Sequence, residues 1–296
     1  MVLAKHIAAV LIAACLVSVC AGAAPLSGAG KDTAEPRGRA YLFRGLIAVI
    51  DWGLDELAQR IERVGIPTDI SSHLIWPAVA NQAIRDYRLD PQPISIIGHS
   101  IGGDSAVAFA KYLAAADVPV GLLVTYDPTR FADKVPPNVE RFINLYQSSS
   151  LLGGANLLRE QGFHSHYASF DLNVRPEIIH INIDKFDRIQ EQIVDKVRAL
   201  AATPASAAGE AEPLHLVVPA TASIDLWDSG VPVSARAGDT LQTLAATYHV
   251  PLWALAQINQ QSEEAALTIG ERIIVPRYLA QGPMPRPVSS YTPTKR

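Results

Sequence analysis

The sequence predicts an α/β fold, a mostly parallel sheet flanked by helices, with a small second module behind it. Three observations carry that expectation. Short continuous apolar runs, such as Ile94-Ser95-Ile96-Ile97 and Val120-Gly121-Leu122-Leu123-Val124, suit strands covered on both faces by crossover helices. Amphipathic helical stretches alternate with those runs, as in βαβ units. A length of 296 residues with 49% hydrophobic content buries one ordinary core and leaves chain for an appendage.

Residues 1–23 read as a secretory signal peptide: Lys5, an apolar run from Ile7 to Cys20, and small residues ending in Ala21-Gly22-Ala23. The run is too brief to span a bilayer comfortably. Cleavage after Ala23 removes Cys15 and Cys20, so the exported chain would carry no disulfide framework and no thiolate metal site. Val17-Ser18-Val19-Cys20 also resembles a lipoprotein acylation site, although β-branched Val19 stands where a small residue is expected. A membrane is an expected partner only if Cys20 is lipidated. Residues 24–39, rich in Gly, Ala, Ser and Pro, read as a solvated leader.

The body is expected over residues 40–200, with strands at 40–44, 68–72, 93–98, 118–126 and 142–147 and helices at 54–64, 78–87 and 103–116. The pattern closes with residues 177–183 and a last helix over 186–200, whose Ile189, Ile193 and Val197 recur every four residues. Residues 201–230 read as a linker, Ala-rich at first and interrupted by Pro204 and Pro213; within it, 214–218 could dock as a strand on either neighbour. The second module occupies 231–278, and the Pro-rich tail 279–296 is expected to be disordered. With 25 basic and 29 acidic residues spread along the chain, a net −4 offers no basic stripe to phosphates, which argues against a nucleic-acid partner.

The strongest chemical signal is Gly98-His99-Ser100-Ile101-Gly102-Gly103, directly after a buried strand and directly before a helix. A Gly-x-Ser-x-Gly turn in that setting strains the serine backbone, and a Cβ at the flanking glycines would collide with strand and helix. The Ser100 hydroxyl then stands at a helix N-terminus, whose dipole favours a developing oxyanion. His99 should point into the fold as packing. A serine nucleophile needs a base, and the base a carboxylate, in the order Ser, acid, His. Asp127 ends the next strand on the same sheet edge, although Asp127-Pro128 also suits a plain turn. His180, before the last helix, is the choice of base. His164 and His166 form a His-x-His pair that could supply the base or ligate a metal, but no third ligand stands near, which favours surface or packing roles.

With Asp127 and His180 so placed, the elbow resembles that of the lipase and thioesterase branch of the α/β-hydrolases. The resemblance covers roughly residues 41–200, lacks the first strands of the usual sheet, and agrees with thioesterase-like members in placing the acid after the strand that follows the nucleophile. It implies an oxyanion hole built from the amides of Ile101 and Leu46, and acyl transfer from an ester or thioester to water with no cofactor and no metal.

Residues 233–276 resemble the lysin motif, LysM, through Gly238-Asp239-Thr240-Leu241, Leu244-Ala245, Tyr248, Val250, Leu255, Asn259, Gly270 and Ile273-Ile274-Val275-Pro276. A small βααβ domain follows, with Leu241, Leu244, Leu255 and Ile258 facing its core and Asp239 or Thr240 capping the first helix. The resemblance implies a shallow groove for N-acetylglucosamine glycans such as peptidoglycan, formed by Gly238, Asp239, Thr240, Leu241, Ile269 and Gly270. Trp253 suits core or rim better than a sugar platform. Together these features predict a secreted or periplasmic, envelope-associated serine hydrolase tethered to the wall. The alternatives are an inactive hydrolase-fold scaffold that binds peptidoglycan, and an enzyme that removes acyl groups from the wall glycan itself. Leu151-Leu152 and Leu157-Leu158 form an apolar segment near the expected site mouth, with a core helix the better reading and a lid or acyl pocket the other.

Overall fold

The computed structural model describes residues 37–46, 52–202 and 211–279. The expected signal peptide with Cys20, most of the expected leader and nearly all of the Pro-rich tail lie outside the described residues. Seven parallel strands form one sheet: β1 (Arg39–Arg44), β2 (Thr68–Ser72), β3 (Ile94–His99), β4 (Leu122–Tyr126), β5 (Arg141–Tyr146), β6 (His166–Asp171) and β7 (Leu214–Val217). Their order is β2-β1-β3-β4-β5-β6-β7, so the winding direction reverses between β1 and β3, and the strand ends at such a switch point open a crevice. Helices α1 (Trp52–Arg63) and α4 (Asp187–Ala202) close one face, while α2 (Trp76–Leu89) and α3 (Ile101–Ala114) close the other. Strands β3 to β6 are therefore buried at every position, which is why the apolar runs are continuous.

The second module is β8 (Ser229–Ser234), α5 (Leu241–Tyr248), α6 (Leu252–Ile258) and β9 (Arg272–Arg277), with β8 and β9 antiparallel. Thr240 caps α5 in a reciprocal box with Thr243, at 3.1 Å and 2.9 Å, while the Asp239 carboxylate accepts from the Arg236 amide at 2.7 Å.

Some segments depart from the expectation, and one that it left open is resolved. Residues 177–183 are not a strand; Ile178 and Ile183 are fully buried and anchor an irregular loop. The sixth strand is His166–Asp171 instead, whose apolar signal is diluted by buried His166 and Ser169. Residues 151–158 form no helix, with Leu157 buried and Leu151, Leu152 and Leu158 exposed. In the expected linker, Leu214–Val217 docks on the body as the seventh strand, choosing between the two neighbours. Leu214 and Leu216 of β7 are buried while His215 and Val217 are exposed, as suits a strand at the edge of the sheet.

The module packs on that edge and on the face carrying α4. Gln257 on α6 covers the open side of β7, accepting from the Val217 amide at 2.7 Å and donating to its carbonyl at 3.2 Å, which blunts an edge that would otherwise invite pairing. Trp227 is 3% exposed, belongs to the same core as the sheet, and lies 6.4 Å from the Phe170 ring and 6.3 Å from Trp253. Below it, Lys196 of α4 and Asp228 form a buried ion pair at 2.9 Å. His166, 2% exposed, meets the Ser229 hydroxyl at 2.9 Å.

Burial, and then the positive Arg277, push the His166 imidazole from 6.5 down to about 4. The unfolded chain therefore takes up this proton first as pH falls, so the stability that His166 leaves intact at neutral pH is lost between pH 6.5 and about 4. The loss is about 3 kcal/mol at full extent. His166→Gln is expected to flatten that part of the pH dependence, measured as urea unfolding free energy at pH 7, 5.5 and 4.5; an unchanged slope would contradict the assignment.

Candidate active site

Ser100 follows β3 and opens α3 with φ 56° and ψ −131°, a conformation that costs a non-glycine residue about 1–3 kcal/mol. Glycines make room for it. A Cβ on Gly98 would overlap the Gly102 carbonyl, and one on Gly102 would overlap the Phe43 carbonyl oxygen at the end of β1. That second approach brings the loop after β1 against the first turn of α3, where Ile101 carries one of the amides that a helix leaves without an internal acceptor. The loop is pinned from the other side by buried His73, whose Nδ1 lies 3.2 Å from the Gly45 carbonyl. Leu46 follows as an exposed bend.

Asp127 follows β4 and is also left-handed, with φ 44°. Its amide continues the sheet ladder to the Leu145 carbonyl at 2.6 Å, as the Ser100 amide does to Tyr126 at 2.9 Å, so the two strained residues sit on neighbouring strand ends. The Asp127 side chain is wholly buried. Its Oδ1 accepts from the amides of Gln147 at 3.0 Å and Gly154 at 2.8 Å, and its Oδ2 lies 2.6 Å from His180 Nδ1. Burial alone would raise this carboxyl, but the bond from His180 and the Gln147 and Ser150 donors outweigh it and hold the group below the ordinary range. An ionised acceptor at Oδ2 puts the imidazole proton on Nδ1. The other nitrogen, Nε2, then turns its lone pair to the Ser100 hydroxyl at 3.0 Å.

The structure thus brings Ser100, Asp127 and His180 together in one relay. It separates the His-x-His pair: His164 is exposed, while His166 is buried at the start of β6 beside Ser229. Among the described residues no three His, Cys, Asp or Glu side chains are grouped to hold a metal. His99 points into the fold, 1% exposed, as expected, and its Nε2 also lies 2.8 Å from the His180 carbonyl. Three contributors went unread in the sequence: Gln147, Gly154 and Gly153, whose Cβ would overlap the Asp127 main-chain oxygen. Their loop is anchored by Asn144 inside the sheet, which accepts from Thr125 at 2.9 Å and donates to the Ala155 carbonyl at 2.8 Å.

In the second module, Gly238 and Gly270 adopt φ of 84° and 85°, and the bridge between Thr240 and Ala266 draws their two loops together. Ile269 is 77% exposed beside them, whereas Leu241 is fully buried and can meet a ligand only through its main chain. Trp253 packs toward Trp227 and the body.

Sheet order, elbow and the sequence Ser, acid, His along the chain make the body an α/β-hydrolase fold. Residues 235–276 match the family model of the LysM domain, so the chain carries that domain at its C-terminal end. Among solved structures, it is similar to a putative hydrolase of the alpha/beta superfamily from Xanthomonas campestris pv. campestris, at 18% identity over 40% of this chain and 76% of that one, TM-score 0.30. It is also similar to the NocB thioesterase domain from the nocardicin cluster, at 12% identity over 54% and 92% of the two chains, TM-score 0.34. A third likeness is to the esterase domain of a Rhodothermus marinus protein, at 13% identity over 58% and 85%, TM-score 0.32. No curated protein matches the chain in sequence.

The Gly153 contact makes a direct test. Gly153→Ala is expected to lose about 1–3 kcal/mol in thermal or urea unfolding, because the Asp127 backbone has to move. Gly121→Ala, whose added Cβ meets nothing nearer than 3.5 Å, is the control and should change little. Equal effects would refute the steric argument.

Proposed function

We propose that this chain is an exported serine hydrolase that cleaves ester or thioester bonds and is held at an N-acetylglucosamine-containing wall glycan, peptidoglycan being the expected one, by its LysM domain. The observation that carries the reading is the relay in which Asp127 fixes the His180 tautomer and His180 faces the Ser100 hydroxyl. His180 takes the Ser100 proton as the oxygen attacks the acyl carbonyl, then returns it to the leaving alcohol or thiol. A water, deprotonated by the same imidazole, releases the acyl group and restores the serine. The amides of Ile101 and Leu46 are the proposed donors to the oxyanion, each worth about 3 kcal/mol in the transition state.

The surroundings favour an apolar acyl group. The loops at the strand ends around Ser100 carry exposed Leu46, Leu74, Phe131, Leu151, Ile179 and Ile181, with Phe131 95% and Leu151 99% exposed. Exposed apolar residues gathered at one edge mark a binding region more than scattered ones do. The LysM domain supports an envelope location and supplies local concentration, since one copy of such a shallow module binds weakly.

A fluorophosphonate probe is expected to label the chain at Ser100 alone, mapped by mass spectrometry, with turnover of a nitrophenyl ester abolished in Ser100→Ala. A well-folded chain without adduct or turnover would leave a glycan-binding scaffold in place of an enzyme. Separately, Ile269→Asp should reduce retention on insoluble peptidoglycan while soluble ester turnover stays unchanged; undiminished retention would remove Ile269 from the groove.

A further inference from the structure

The base sits on a loop with no helix or strand of its own. Residues 172–182 are turns, closed internally where Asn182 accepts from the Ile179 amide at 2.7 Å and donates to the Glu177 carbonyl at 3.0 Å. Those bonds fix the loop's shape but not its place over the sheet edge. Buried Ile178 and Ile183 anchor it on the body and Arg175 ties it to the Pro219 and Ala222 carbonyls, while two of its own main-chain carbonyls tie it to the relay. The carbonyl of His180 itself lies 2.8 Å from His99 Nε2, and the carbonyl of Ile178 accepts from Gln147 Nε2. A carbonyl only accepts, so His99 carries a proton on Nε2 and acts as a donor.

Both donors are buried, His99 at 1% and Gln147 at 8% exposure, and each starts beside a different member of the relay. His99 is the residue before Ser100, and its ring lies 4.9 Å from that of His180. Gln147 gives its amide to Asp127 Oδ1 and its side chain to the base loop. The distance from nucleophile to base is thereby set through one side chain, and the distance from acid to base through another.

We propose that His99 and Gln147 are positioning residues that hold the His180 loop in register with Ser100 and Asp127. The proposal rests on the serine-hydrolase reading for its kinetic consequences, and on the bonding geometry alone for its spectroscopic ones. Packing alone makes a different forecast, because an apolar side chain of similar volume would then serve as well as a donor.

The test uses the full chain. His99→Met and Gln147→Met are expected to lower kcat about 10–100-fold with KM changed less than about 3-fold, since misplacing a catalytic group by about an ångström costs that much. His99→Gln, which keeps an N–H near the same place, should recover kcat to within about 3-fold of the parent chain. In a His180→Ala background, His99→Met should leave the residual turnover where it is, whereas damage to the fold would lower it further. Equal kcat in His99→Met and His99→Gln, or a loss confined to KM, would overturn the proposal. Should the parent chain turn over no ester, the hydrolase reading fails, and the low-field proton resonance of His180 Nδ1 decides the tethers alone. That resonance, identified by its loss in His180→Ala, should broaden or shift in both Met variants and persist in His99→Gln; persistence in all three would refute the tethers.

Discussion

A carboxylate without exposed surface has to be satisfied entirely by donors, and the burial of Asp127 organises everything around it. Its two oxygens take hydrogen bonds from groups near in space but distant in sequence, among them Gln147, Gly154 and His180. Meeting the first two requires the loop after β5 to fold back over the strand ends, which only glycine permits at 153, where the chain runs against the Asp127 backbone. Meeting the third requires the loop after β6 to bring an imidazole to a buried point. The tautomer that faces Ser100 is then a consequence of charge satisfaction.

The elbow and the acid share a second constraint. Ser100 and Asp127 are both left-handed and both continue the ladder through their amides, so each strand ends by turning its next side chain out of the sheet plane. Such conformations persist only where the surroundings over-determine them. Here the surroundings are the fully buried strands β3 to β5 and the close backbone approach at Gly98 and Gly102. Because the strand order reverses between β1 and β3, the connections leave this edge in opposite directions and open a crevice at the strand ends.

What was legible in the sequence was what local pattern determines. Continuous apolar runs marked β3 and β4, Gly-x-Ser-x-Gly between strand and helix marked Ser100, and the strand-end position marked Asp127. His180 was chosen from its place before the last helix, and the relay brings it to Ser100. The failures are tertiary in origin. His166–Asp171 carries a buried histidine and a buried serine whose partners, Ser229 and Asn156, lie elsewhere in the chain, so its polarity concealed a central strand. Ile179 and Ile181 imitate strand alternation yet are exposed, because the loop that carries them is shaped by Asn182 and placed by His99 and Gln147. Toward Asp127, Gln147 and Gly154 act through main-chain amides, which every residue but proline possesses and no composition betrays.

The position of β7 changes what the C-terminal module can be. Read as a linker, residues 201–230 would let the module swing, and its contribution would be the effective concentration set by a flexible tether. With Leu214–Val217 in the sheet, Gln257 on its edge, Trp227 in the common core and Lys196 paired with Asp228, residues 211–279 pack as part of the body. A buried ion pair is poor evidence of net stability but strong evidence of commitment, because separating it leaves each charge in an apolar setting. The loop that carries His180 is drawn into the same arrangement, since Arg175 donates to the Pro219 and Ala222 carbonyls in the segment leading to β8. The loops at Gly238 and Gly270 and the loop of His180 therefore belong to one packed unit. Their separation is fixed by side-chain packing and not by the statistics of a chain.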